Sequence, residues 1–233
     1  HAELDAQAVW RDVQAVIAGA AADTKEDPVS ALCVSSLGEA VVPVTAGRKI
    51  LAPSLLNFDE RGAEYLGALA ESVDDATLYR INGNALGNHY SLTKLLWIRD
   101  HEADAYAEAD AFLHWGPFVA FMLGAEPFVD YSLANRTLLF DLEAETWSER
   151  LLDMAQLDAA KLPRCVPPGT EVGRVSGAMA EVLGLPRDVA IVAGAHDQCA
   201  NAVGAGVLEE GNAMLGMGTY FSIVPVFGRR TDP

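Results

Sequence analysis

Short apolar runs alternate with amphipathic helical stretches along the whole of the 233-residue chain, and that alternation restricts the fold to the α/β class. Residues 31–35, 39–44, 172–175 and 189–192 read as short buried strands. Asp5 is placed to cap a helix whose Val9, Trp10, Val13, Val16 and Ile17 share one face. Further helices are expected over 60–71, 91–100, 116–123, 147–155 and 177–183. Residues 130–142 mix β-branched, aromatic and polar side chains and read as extended, while the Pro-rich stretch 162–169 reads as a connector. The strand at 189–192 runs through Ala193-Gly194-Ala195 into a helix from about Asp197 to Val203. Gly211-Asn212 then turns into 213–215, and a tight Gly216-Met217-Gly218 bend leads to 221–226.

Composition narrows the function. A formal net charge of −17 repels a phosphate backbone and an anionic lipid surface, so nucleic-acid and membrane partners are not expected. No apolar run approaches the roughly 20 residues that span a bilayer. Cys33, Cys165 and Cys199 lie far apart with no CxxC pair, which suggests neither zinc nor a disulfide framework and fits a reducing cytoplasm. Cys33 and Cys199 sit among apolar residues and read as small buried hydrophobes. His89, His114 and His196 show no metal-ligand spacing. Trp97, Phe112, Trp115, Phe118 and Phe121 are expected in the core, and 102–110 as a solvated helix face. The chain opens next to a helix start and stops after a strand-like run, so both ends read as cut.

Three segments can carry chemistry. Asp197 stands at the first turn of a helix that follows a buried strand, where ligands of open α/β sheets bind and where the helix dipole keeps a carboxylate ionised. The same position suits an ordinary N-cap, and the segment by itself favours that reading. Gly216-Met217-Gly218-Thr219 could bring backbone N–H groups and a hydroxyl to a phosphate, although a lone bend of this kind is commonly just a tight turn. In Ser35-Ser36-Leu37-Gly38-Glu39 a carboxylate at a strand end could accept two sugar hydroxyls, or could be a solvated Glu in a hairpin. Gly204-Ala205-Gly206 follows a helix instead of preceding one, so it fails the dinucleotide-binding context.

Taken in order, these segments resemble the FGGY carbohydrate kinases. Ala2-Glu3-Leu4-Asp5 looks like the end of that family's GWxExD stretch, and residues 35–39 look like its first substrate loop. Asn57-Phe58-Asp59-Glu60-Arg61 resembles its WxDxR turn, and residues 91–97, Ser-Leu-Thr-Lys-Leu-Leu-Trp, its TKLxW helix. The most specific likeness is Asp-Tyr-Ser-Leu-Ala-Asn-Arg-Thr-Leu-Leu-Phe-Asp at 130–141, close to the TDYSxASRTxLFD signature. Residues 193–198 resemble the GxxDQ segment, and residues 216–219 the second phosphate loop.

The resemblance implies an actin-like, ribonuclease-H-like α/β fold, incomplete here at both ends. Residues 1–206 would form the sugar-binding first domain, and 207–233 would begin the nucleotide-binding second domain. It implies ATP-dependent phosphorylation of a hydroxyl of a small sugar or polyol, a pentulose such as xylulose being favoured, with Mg²⁺ as the accompanying ion. Asp197 would take the hydroxyl proton, Glu39, His89 and Gln198 would contact the sugar, and Gly218 and Thr219 the ATP phosphates. A homodimer is a further expected partner. Leu37 replaces a polar residue, and Gly38 leaves a gap that glycerol kinases fill with Arg, so glycerol is disfavoured. The Asp-x-Gly-Thr phosphate hairpin and the adenosine loop are absent from these residues, so the chain alone is expected to be inactive. The other reading is a non-catalytic sugar-binding or regulatory protein on the same scaffold.

Overall fold

The computed structural model describes residues 1–218 and 221–229. The chain opens with β1 (Glu3–Leu4) and then α1 (Ala6–Asp23), whose N-cap Asp5 accepts from the Gln7 and Ala8 amides. That helix buries Ala6, Trp10 and Ala21 and packs toward the later helix at Gly177–Leu183. Val16 is exposed, against expectation, because it lies on the rim of the stripe centred on Ala6, Trp10 and Ala21. After β2 (Ala31–Cys33) come β3 (Val41–Val44) and β4 (Ser54–Leu55).

The helix expected over 60–71 is broken. A 3-10 turn at Ala63–Tyr65 precedes α2 (Leu66–Ser72), because Gly62 takes a φ of +94° against the backbone of Thr93. There α3 (Asp75–Asn82) was not foreseen, and it is followed by α4 (Ser91–His101), α5 (Ala103–Glu108), β5 (Ala111–His114) and α6 (Trp115–Leu123). The stretch 130–142 is only partly extended. It runs β6 (Phe128–Asp130), α7 (Tyr131–Asn135) and β7 (Phe140–Asp141), because Asp130 caps α7 through the Ser132 and Leu133 amides.

Next come β8 (Thr146–Trp147) and α8 (Glu149–Ala155), which starts at its Ser148 cap. The Pro-rich connector contains β9 (Arg164–Val166), paired in parallel with β6. The last elements are β10 (Glu171–Arg174), α9 (Gly177–Leu183), β11 (Ala190–Val192), α10 (Asp197–Gly204), β12 (Ala213–Met217) and β13 (Phe221–Pro225). Gly216 and Met217 belong to β12, so the expected bend does not begin at Gly216.

The antiparallel pair β3–β5 separates two cores. Val42, Val44, Ala111 and Leu113 face a core with Trp10, Phe118, Phe121 and Ile191, while Val41 and Phe112 face one with Leu78, Leu92, Leu95 and Leu151. This is the period-two alternation of a strand buried on both sides. Each fully buried Leu or Phe contributes about 1.5–3 kcal/mol, so the pair anchors both halves. Beside it, β11 lies between antiparallel β10 and parallel β2. Among the described residues β2 is the edge of that sheet, which is why Cys33 is exposed and not the buried hydrophobe expected; Cys199 is half-buried. The C-terminal ends of β2 and β11 therefore emerge side by side, and the two loops that follow them meet.

Candidate active site

The loop after β2 and the junction after β11 are stitched together by backbone. The Ser36 amide donates to the Ala195 carbonyl at 3.4 Å, and the Asp197 amide donates to the Ser36 carbonyl at 2.9 Å. Such contact needs glycine at 194, where a Cβ would lie 1.9 Å from the Val34 oxygen. Two segments separated by about 160 positions in sequence thus form one surface, with residues 35–39 on one side and 193–198 on the other.

Glu39 sits at the turn into β3. Its φ is +61°, and the Ala40 amide returns to the Gly38 carbonyl at 2.6 Å across it, a strained three-residue turn. The turn points the carboxylate inward, where it is buried and paired with Arg136. Arg136 donates from Nε at 2.6 Å and approaches with Nη2, both to Oε1. Burial pushes the Glu39 carboxyl up, Arg136 pulls it down, and the charge of Asp197 adds a smaller upward push. The backbone of Glu39 is held as well, since Ser91 Oγ donates to its carbonyl and lies 3.3 Å from His114 Nε2. Burial pulls His114 down to about 3, so that ring is neutral.

Arg136 also lies over the Tyr90 ring, 4.7 Å from its centroid, and Tyr90 packs on His89 with centroids 4.0 Å apart. His89 is itself exposed. Burial, then Arg136 and Lys94, lower its pKa. His89 and Glu39 are therefore linked through two intervening side chains and do not touch.

At the start of α10 the Asp197 side chain is 46% exposed, open to a ligand, and its Oδ1 lies 3.3 Å from His196 Nε2. The His196 amide donates to Ser132 Oγ at 2.8 Å, and that hydroxyl donates to Asp130. Gly38 was expected to leave a gap. It does not: a Cβ there would lie 2.8 Å from His196 Cδ2 and 3.2 Å from Arg136 Cγ, so those two side chains fill the space.

A cavity of about 470 Å³ opens beside this surface, lined among others by Ser132, Asn135, Arg136, His196, Gln198 and Ser222. Gln198 reaches into it, and its Oε1 would touch a Cβ placed on Gly216 at 3.3 Å. Glu39 and Asp197 are not among its lining residues, and Glu39 reaches it through Arg136. Gly218 has open space around it, and Thr219 lies outside the described residues. Glu39, Asp197 and Gln198 are thus brought to one region, with His89 on its margin and Gly218 apart.

Arg136 and His196 were not singled out from sequence. The Glu39–Arg136 pair spans 97 positions, and only the signature at 130–141, which contains Arg136, hinted at it. Three other motif residues hold the fold together. Lys94 is buried, donates to the Asp59 and Arg61 carbonyls at 2.6 and 2.7 Å, and is pulled down to about 8 by burial. The Asp59–Arg61 pair at 2.7 Å holds the Asp59 carboxyl well below its usual range. These contacts pin α4 to the preceding turn.

Known proteins share this arrangement of elements. Residues 1–204 match the model of the FGGY family of carbohydrate kinases, N-terminal domain. Autoinducer-2 kinase from Escherichia coli strain K12 is 33% identical over 181 residues, which cover 76% of this chain and 34% of that protein. Xylulose kinase from Staphylococcus epidermidis is 31% identical over 147 residues, 63% of this chain and 29% of that protein. The chain therefore spans about a third of the length of the curated relatives it matches. The crystal structure of xylulose kinase from Rhodospirillum rubrum superposes with a TM-score of 0.92 at 24% identity, over 99% of this chain and 48% of that one. Gluconate kinase from Lactobacillus acidophilus superposes with a TM-score of 0.86 at 20% identity, over 95% of this chain and 45% of that one. The fold is the actin-like, ribonuclease-H-like one, and the chain belongs to the FGGY family of carbohydrate kinases.

Proposed function

We propose that the protein phosphorylates a hydroxyl of a small sugar or polyol, with a pentulose such as xylulose favoured and Asp197 as general base. The observation that carries this reading is the juncture of residues 35–39 with Asp197, which puts a half-exposed carboxylate beside a buried, Arg-paired one. ATP supplies the phosphoryl group, and magnesium offsets its charge. Asp197 accepts the acceptor hydroxyl's proton as that oxygen bonds to the γ-phosphorus and the bond from that phosphorus to ADP breaks, ADP leaving. Glu39 Oε2, which Arg136 leaves unused, accepts a hydrogen bond from a second hydroxyl; Gln198 fixes a third, and His89 bounds the site. Gly38 offers no side-chain donor, and Arg136 and His196 occupy the space beside it, so a short triol lacks the contact that a side chain at 38 would give it.

The described residues fit the acceptor half of such a reaction. No group of three His, Cys, Asp or Glu side chains among them is placed to hold a metal ion, and Gly218 is the backbone available to a phosphate. Residues 1–206 form the sugar-binding domain on this reading, and the β12–β13 hairpin begins the nucleotide domain. Leu215, Met217, Phe221 and Ile223 are exposed on that hairpin, as expected of a surface that the longer protein covers. A cytoplasmic location follows from the use of ATP.

The test is a phosphorylation screen of the full-length protein with ATP against pentuloses, hexonates and polyols including glycerol. The expected result is turnover of a five- or six-carbon acceptor over glycerol. Preference for glycerol would overturn the substrate assignment, and binding of a sugar with no turnover of any would favour the non-catalytic reading.

A further inference from the structure

His196 has no part in the transfer described above, yet it is the side chain held against Asp197. It occupies the N-cap position of α10, where Ser, Thr, Asp or Asn is preferred, and its side chain caps no amide. Its backbone is fixed twice, by the amide bond to Ser132 Oγ and by the bridge to Ser36. Its ring lies against Gly38, where even a methyl group would approach it to 2.8 Å. The side chain is 15% exposed, and Nε2 lies 3.3 Å from Asp197 Oδ1. A residue that breaks the local capping rule and is wedged by a glycine is placed for something other than the helix.

We propose that His196 is a positioning residue for the acceptor-phosphorylating reaction: its Nε2–H holds Asp197 Oδ1 and thereby presents Oδ2 to the substrate hydroxyl. This rests on the reading of Asp197 as the base. Of the two neutral tautomers, the one protonated at Nε2 suits a carboxylate at this distance, since a lone pair there would repel it. Burial lowers the His196 pKa, with Asp197 opposing it and Arg136 adding to it, which favours the neutral ring. Neutrality matters chemically. A Lys or Arg in this place would form an ion pair and weaken the base, whereas a neutral donor fixes one oxygen and leaves the other basic. The carboxylate is otherwise half-exposed and free to rotate, which misplaces the accepting oxygen.

The experiment compares the full-length protein with His196→Ala and His196→Gln, each alone and combined with Asp197→Asn. The acceptor is xylulose, or whichever member of the panel above is turned over fastest. Gln is the probe because its amide reaches near Nε2 and donates. His196→Ala should lower kcat about tenfold to a hundredfold with little change in KM, and His196→Gln should recover to within about threefold of wild type. In the Asp197→Asn background, His196→Ala should cost nothing further. Wild-type kcat in His196→Ala, equal damage from Ala and Gln, or losses that multiply in the double variant would overturn the role. Wild-type kcat in Asp197→Asn alone would overturn the base assignment, and this role with it.

Discussion

Glu39 and Arg136 show how a single contact can serve folding and recognition together. A carboxylate 7% exposed is costly without a partner, and Arg136, at 23%, is the partner the structure supplies. Removing either member is not symmetrical. Arg136→Ala leaves a buried charge uncompensated and should cost about 2–4 kcal/mol, the exposed quarter of the Arg side chain keeping it from the upper end. Glu39→Gln removes the charge itself and leaves a guanidinium that water still reaches, so its cost should be smaller. Urea unfolding of the two variants checks this, and an equal or larger loss in Glu39→Gln would contradict the burial argument. Neither residue announces the pair in sequence. Glu39 could be read as a candidate sugar ligand from its loop, but the partner 97 positions away was visible only as a member of a signature.

At the scale of elements, the site exists because β2 and β11 run parallel and release their loops on the same side. Gly194 is the residue that allows those loops to touch. Gly194→Ala would drive a methyl group into the Val34 carbonyl, backbone against backbone, and should destabilise by about 3 kcal/mol or more. Gly38→Ala meets side chains that can shift, and should cost less than Gly194→Ala in the same melting experiment. The reverse order would contradict the stitched-loop geometry. Elements with a strong local signal were legible beforehand. Asp5 and the Gly177–Leu183 helix fell where periodicity put them, as each has a side-chain cap. Short elements were legible only where an apolar run marked them, as at β2, β10 and β11. Tyr131–Asn135 is five residues long and β5 four, too few to display a period, and both are held by tertiary contacts. Exposure was the least legible property: Cys33 and Val16 look buried by type, and only sheet order and helix rotation show that they are not.

The whole molecule places its chemistry on one surface between α7, α10 and the two stitched loops, beside a cavity of about 470 Å³. Two cores flank β3–β5, while the carboxylate at the centre of that surface is half-exposed. No helix of the described residues is long and apolar enough to cross a membrane. Asp197 is the residue on which the functional reading turns, because the first turn of α10, where His196 and not Asp197 takes the N-cap position, suits a carboxylate that only complements the helix dipole as well as a base. The two roles separate in one measurement: kcat and sugar affinity of the full-length protein against Asp197→Asn. The amide keeps the size and much of the hydrogen bonding but cannot take the hydroxyl proton. General base catalysis is worth about 10²–10⁴-fold, so kcat should fall by that order while sugar affinity changes by less than about tenfold. Turnover near wild type in Asp197→Asn would contradict the account and leave Asp197 as the first residue of its helix.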